Sequence, residues 1–398
     1  MRVFNNFREF VVGILPLFYL LFYTFHFPST IIYIPYLSLL FIVLNKGVSK
    51  NKECEVFFFI ILVFIICTCL SGYITKQAIL YIGLLMLFLF DLPEIAEVYA
   101  KKPKYILTLW AIIISLMILP KVLSEIGTIT QSRILAALRL NNNDGDFVKR
   151  EDFGFFHPNT AGCLLATNII VMCKILCMRS VYVLRKRHKS IIIANIGISI
   201  YGMLATGSRG ALLFIVFFGI LLFYRRYTNL LNAKFRLIIN AIIFLFLVRV
   251  FIMDQILFNM ITNSSGRDTN FLMLLKAIYA NGNILFGVGL SPISSGFLSQ
   301  KVGMKLIIDG WYQYMFGCIG MVGLLCLFVL LQYLVRYFLR HTYAEAYNFN
   351  AALIVSFALY SLTENITITP GVLLSLVFWT LIYGDSKRGM YNKVLIKR

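Results

Sequence analysis

The chain has 398 residues, of which 60% are hydrophobic and only 14% charged, with a mean hydropathy of +0.84. Soluble domains carry about 25% charged and roughly 45–50% apolar residues, so a soluble fold is excluded, as is disorder, which needs low hydrophobicity. Eight cysteines, 26 glycines and 9 prolines without a period exclude a disulfide framework and a collagen-like chain. What remains is an all-α integral membrane protein, a single polytopic helix bundle over residues 1–398.

A bilayer core of about 30 Å needs roughly 20 apolar residues per helix, with every backbone hydrogen bond made inside the segment. That requirement predicts twelve spans: 10–27, 28–44, 56–74, 76–91, 105–123, 160–178, 191–206, 210–224, 237–252, 311–335, 350–366 and 368–383. The second, fourth and twelfth are short, and ten or eleven spans follow if a pair is re-entrant. Cytoplasmic connections keep lysine and arginine. With the amino end inside, the basic groups fall in alternate connections: Arg2 and Arg8; Lys46, Lys50 and Lys52; Lys101, Lys102 and Lys104; Arg179, Arg185, Lys186, Arg187 and Lys189; Arg225, Arg226, Lys234 and Arg236; Arg336 and Arg340; and the carboxyl-terminal tail. Both termini are therefore expected in the cytoplasm. Two connections on the outer face are long, about 124–159 and 253–310, and long ordered loops usually carry function.

The net charge of +20 does not call for nucleic acid. Short basic loops such as Arg185-Lys186-Arg187-His188-Lys189 anchor topology and touch anionic lipid. Arg2 and Arg8 precede an apolar run with no small-residue cleavage site after it, so the first span is expected to be retained. Seven cysteines fall within spans and Cys54 in an inner loop. Cys173 and Cys177 lie one turn apart with no histidine or carboxylate nearby to complete a metal site. There is no Walker loop, dinucleotide fingerprint or HExxH, so no cofactor and no metal are expected.

Three outer segments carry the candidate chemistry. In the first, Phe153-Gly154-Phe155-Phe156-His157-Pro158-Asn159-Thr160, the Pro and Asn make a turn, and Asn159 or Thr160 is the expected cap of the sixth span. That leaves His157 available for another task. In the second, Thr206-Gly207-Ser208-Arg209-Gly210-Ala211 joins two spans by a tight connection; an arginine held at membrane depth needs a cavity or a partner, which favours anion binding. In the third, Ser264-Ser265-Gly266-Arg267-Asp268, Phe286-Gly287-Val288-Gly289, Lys301, Lys305 and Asp309-Gly310-Trp311-Tyr312 follow one another. Asp309 also suits a helix cap. Two arginines, lysines and an acid on one membrane face fit an anionic donor and an acid–base step.

In order and spacing, Phe153 to Asn159, Thr206 to Leu212, Gly266-Arg267 with Phe286 to Gly289, and Asp309 to Tyr312 before Gly320-Met321-Val322-Gly323 resemble the O-antigen polymerase and O-antigen ligase superfamily, across about 153–325. The resemblance implies a GT-C-like fold of about twelve transmembrane helices in a bacterial cytoplasmic membrane. It also implies a metal-independent glycosyltransferase acting on the outer face upon undecaprenyl-pyrophosphate-linked oligosaccharides as donor and acceptor. A flippase and a chain-length regulator are the expected protein partners.

Arg209 and Arg267 match the family's serine–arginine element and later loop arginine, and guanidiniums suit a leaving pyrophosphate. The family often has a histidine as base where this chain has Asp309. Asp309 is the first candidate base here, with His157 the other. Asn159, Lys305, Trp311, Tyr312 and Glu364 are the expected substrate-binding residues. A ligase of the same superfamily is the alternative, and a lipid-linked oligosaccharide flippase the alternative of another class. The flippase is disfavoured because only Lys174 and Arg249 are expected within spans and no internal repeat is evident.

Overall fold

The computed structural model describes residues 2–46, 52–72, 74–127, 151–178, 181–182, 184–228, 267–280, 283–289 and 310–396. The described residues form α-helices and one 3-10 turn, without a β-strand: α1 (Arg2–Phe25), the 3-10 turn (Ser29–Ile32), α2 (Tyr33–Lys46), α3 (Lys52–Leu70), α4 (Lys76–Lys101), α5 (Pro103–Glu125), α6 (Pro158–Cys177), α7 (Lys186–Thr206), α8 (Arg209–Thr228), α9 (Arg267–Ala280), α10 (Trp311–His341), α11 (Ala344–Tyr360) and α12 (Leu373–Ile396). Among them, seven helices are long and apolar enough to cross a membrane: α1, α3, α4, α5, α6, α7 and α10. The stretches 29–44 and 209–224 are shorter apolar helices. The expected span 237–252 lies outside the described residues.

α12 is the central helix. It is buried on every side from Leu373 to Ser386 and packs against α4, α6, α10 and α11. A helix apolar all round is stable only when wrapped by others. The outer helices expose large apolar side chains such as Leu116, Phe223 and Val329 instead, as a lipid-facing surface does. Between α5, α6 and α7 the polar groups close on one another. Asn168 donates to Asn195 (2.7 Å) and Ser199 (2.9 Å), Asn195 donates to Ser115 (2.8 Å), and Ser115 donates back to Asn168 (3.2 Å). Such interhelical bonds replace the hydrophobic drive that lipid cannot supply.

Several boundaries differ from those expected. α4 does not stop at residue 91 but runs to Lys101, and only Lys102 separates it from α5. The acidic residues at and beyond the expected end are absorbed by the bundle: Asp91 is fully buried, and Arg8 of α1 pairs with Glu94 (2.6 Å). Cys54 falls inside α3 rather than in a loop. α11 ends at Tyr360, so Glu364 sits in the connection after the helix, and α12 continues well past residue 383. That extension carries Asp385 into the interior, where it forms an ion pair with Lys174 of α6, both fully buried. The expectation that Lys174 and Arg249 are the only charges within spans is therefore corrected.

The expected outer loop 253–310 is not all loop. It contains α9, and residues 284–289 dock into a break in α10. At Gly320 the backbone leaves the helix (φ 67°, ψ −171°), and the freed groups find new partners. Val288 and Gly289 N–H donate to Gly317 and Cys318 C=O (both 2.9 Å), while Met321 and Val322 N–H donate to Ile284 (3.0 Å) and Leu285 (3.1 Å) C=O. Non-helical backbone is tolerated at membrane depth only when satisfied by protein in this way. The approach is too close for side chains. A Cβ on Gly287 (φ 74°) would lie 2.5 Å from the Cys318 carbonyl carbon, and one on Gly320 would strike the Leu285 carbonyl. The Gly-Val-Gly signal thus has a structural explanation.

Candidate functional site

One end of the bundle gathers most of the predicted site residues, because the amino ends of α6, α8 and α10 meet the carboxyl end of α11 there. At α6, His157 itself is the cap, in extended conformation, with Pro158 in the first turn; its Nδ1 accepts the Asn159 N–H at 3.1 Å. The expectation of an Asn159 or Thr160 cap is corrected. The reason is local: proline fixes the first helical residue, so the cap falls one position before it. A neutral ring that accepts at Nδ1 carries its proton on Nε2, and it therefore presents a donor on that side.

The turn before α6 is pinned from two directions. Gly154 N–H bonds to Asp152 (2.9 Å), and the Lys121 ammonium of α5 bridges the Gly154 and Thr24 carbonyls (3.4 Å each) while lying over the Phe155 ring. Phe156 packs among Phe22, Tyr23 and His26 of the α1 end.

The α7–α8 connection is as tight as expected. Gly207 takes the left-handed conformation (φ 57°, ψ 22°) that closes a helix with glycine. Ser208 N–H donates to Thr206 Oγ1 (3.2 Å), and Arg209 is the first residue of α8. A cation at a helix amino end works against the dipole, so Arg209 does not serve its own helix. α6 and α8 approach so closely that a Cβ on Gly162 would lie 2.6 Å from the Ser208 Cβ. Ser208 Oγ is buried and has no hydrogen-bond partner among the described residues.

On the far side of Arg209, a Cβ on Gly210 would meet Thr363 Oγ1 at 2.6 Å, which places the 361–372 connection against α8. Tyr360 stacks on Phe214 at 5.1 Å, and Glu364 follows one turn later, its N–H donating to the Tyr360 carbonyl (3.0 Å). The connection is held by α12 and α1. Trp379 Nε1 donates to the Thr367 carbonyl (2.7 Å), and Tyr19 and Tyr23 hydroxyls donate to Pro370 and Gly371 carbonyls (2.6 Å each).

α10 joins the group through its backbone, the Trp311 N–H donating to Ser361 C=O (2.8 Å). Trp311 is fully buried and edge-on to Tyr312, whose hydroxyl donates to Ala358 C=O (3.1 Å). Trp311 therefore acts in packing, and of the two aromatic residues only Tyr312 is partly exposed.

His157, Asn159, Arg209, Glu364 and Tyr312 thus occupy neighbouring elements at one end. Arg267 opens α9, one turn before Phe271, whose ring lies 6.3 Å from Phe316 of α10; the Arg267 side chain lies outside the described residues, as do Lys305 and Asp309. Sequence reasoning missed the Gly162–Ser208 contact, the Lys121 bridge and the Lys174–Asp385 pair. Each joins positions far apart in the chain and leaves no local signal beyond an isolated glycine or charge. No family model matches the chain, and no curated protein is a significant relative.

Proposed function

We propose that the chain is a polysaccharide polymerase of the bacterial cytoplasmic membrane, with about twelve spans, a GT-C-like bundle and both termini inside. It joins undecaprenyl-pyrophosphate-linked oligosaccharide repeats on the outer face, for capsule, exopolysaccharide or O-antigen, after a flippase delivers them and under a chain-length regulator. The observation that supports this reading best is the shared end at which Arg209, His157 and Asn159 sit at abutting helix termini beside the connection that carries Glu364. The basic connections at the other end support an outward orientation for this one.

In the reaction, an acceptor hydroxyl attacks the anomeric carbon of the donor. The bond to the pyrophosphate oxygen breaks, and negative charge grows on the leaving group. Arg209 and Arg267 neutralise that charge by paired hydrogen bonds. The hydroxyl proton passes to Asp309. The His157 cap supports this assignment, because a ring protonated on Nε2 donates to phosphate or sugar oxygen and does not take the proton. Asn159, Lys305, Tyr312 and Glu364 bind sugar hydroxyls. A mostly apolar cavity of about 220 Å³ beside Tyr312, lined by Phe328, Ile354, Phe357 and Phe378, suits part of the prenyl tail.

Deleting the gene and analysing lipid-linked and surface glycan tests the proposal. Lipid-linked single repeats on the outer face are expected. Full-length polymer left unattached would assign a ligase, and repeats trapped inside would assign a flippase; either result sinks the polymerase reading.

A further inference from the structure

The opposite end of the bundle holds a second recess that plays no part in the proposed chemistry. Because a single residue joins α4 to α5, Lys101, Lys102 and Lys104 crowd one rim of a groove of about 780 Å³. Arg388 of α12 closes the rim from the other side. Below these cations the wall turns apolar: Tyr105, Leu109 and Ile112 follow at helical spacing along one face of α5, with Val181 opposite, a depth of about 10 Å. Ile112 is 49% exposed, so this wall faces outward from the bundle.

The charge balance at the rim favours an anion. Lys101 pairs with Glu97 and Lys102 with Glu9 (2.5 Å each). Among the described residues no carboxylate lies within ion-pair distance of Lys104 or Arg388. Arg388 is oriented by Tyr343, at 3.3 Å from the hydroxyl and over the ring at 4.8 Å. Burial and the nearby Asp385 carboxylate push the Tyr343 phenol up, so it stays a neutral partner beside the guanidinium. The start of α5 is fixed to the turn after α6 by the Tyr182 hydroxyl, which donates to Lys104 C=O (2.9 Å) and meets Thr108 Oγ1 (3.1 Å).

We infer that this groove is a binding site for an anionic glycerophospholipid of the cytoplasmic leaflet, its phosphate held by Lys104 and Arg388 with Lys101 and Lys102 adding charge, and an acyl chain laid along Leu109 and Ile112. Basic recesses between transmembrane helices on the cytoplasmic side recognise lipid headgroups by the same combination of charge and depth. An acyl chain against exposed Ile112 loses nothing relative to bulk lipid, so selectivity comes from the headgroup and position from the wall.

The test uses the purified full-length protein in detergent, titrated with phosphatidylglycerol or phosphatidylcholine and read by native mass spectrometry. Wild type should retain phosphatidylglycerol preferentially. The triple substitution Lys101→Gln, Lys102→Gln, Lys104→Gln should weaken that retention more than about tenfold, with Lys104→Gln alone giving a smaller loss in the same direction. The control Lys186→Gln, Arg187→Gln, Lys189→Gln removes as much charge from exposed positions outside the groove and should change retention less than about twofold. Ile112→Ser should weaken binding of long-chain but not dihexanoyl phosphatidylglycerol. Equal retention of the two lipids, equal loss from the two basic clusters, no effect of Ile112→Ser, or competition by inorganic phosphate at the lipid's own concentration would each overturn the assignment.

Discussion

The buried pair of Lys174 and Asp385 makes a quantitative prediction. Both side chains are fully buried. If Lys174 becomes methionine, Asp385 keeps only the Tyr99 hydroxyl, 3.1 Å away, as a polar partner among the described residues. If Asp385 becomes leucine, the ammonium keeps the Asn350 oxygen at 3.4 Å and the face of Phe349 at 4.5 Å. Neither remnant balances a full charge in a medium without water. Each single substitution should therefore cost about 3–5 kcal/mol, the usual penalty for orphaning one member of a buried pair. The double substitution Lys174→Met with Asp385→Leu removes both charges and should lie within about 2 kcal/mol of wild type, since apolar replacement of a buried pair is often neutral or stabilising. The coupling between the sites should then exceed about 4 kcal/mol. Equilibrium unfolding in mixed micelles measures all four proteins. Additive penalties, or single penalties below about 1 kcal/mol, would refute the claim that these groups stabilise each other inside the bundle.

Other expectations follow from single positions. Arg209→Ala should lower chain elongation by about 10²–10³ with unchanged insertion, and Arg209→Lys should not restore it, because a point charge does not replace a planar fork; an in vitro polymerisation assay decides. His157→Ala should cost about 1 kcal/mol through the lost cap, whereas His157→Asn keeps the cap. If the asparagine variant is as active as wild type, the ring has no role beyond folding. Gly320→Ala should fail to give monodisperse protein on gel filtration, since its Cβ would collide with the Leu285 carbonyl at positive φ. Asn168→Leu should destabilise by about 1–2 kcal/mol, as it breaks the ring of bonds among α5, α6 and α7.

Within the described residues the apolar blocks of the sequence place most of the helices, because each block must satisfy its own backbone in lipid and has no alternative to a helix. Helix ends are harder. Asp91 and Asp385 look like the beginnings of water-facing segments, and only the third dimension supplies the enclosure of one and the Lys174 partner of the other. Glycines carried information whose meaning was equally distant: Gly287 and Gly320 are separated by 33 residues yet define one contact. At the candidate site, the convergence of the His157, Arg209 and Glu364 elements was expected from their common side of the membrane. The cap at His157 was not, since Asn159 and Thr160 are better caps by composition and Pro158 shifts the boundary.

The central position of α12 bears on how the protein is assembled. Every helix that surrounds it leaves the ribosome earlier, so the translocon must hand over a ring of segments with an unfilled axis. Until Asp385 arrives, Lys174 waits in lipid or against transient water. The insertion of α12 is thus that of a pillar into a prepared shaft, and a nascent chain stalled before residue 373 should be a substrate for membrane quality control.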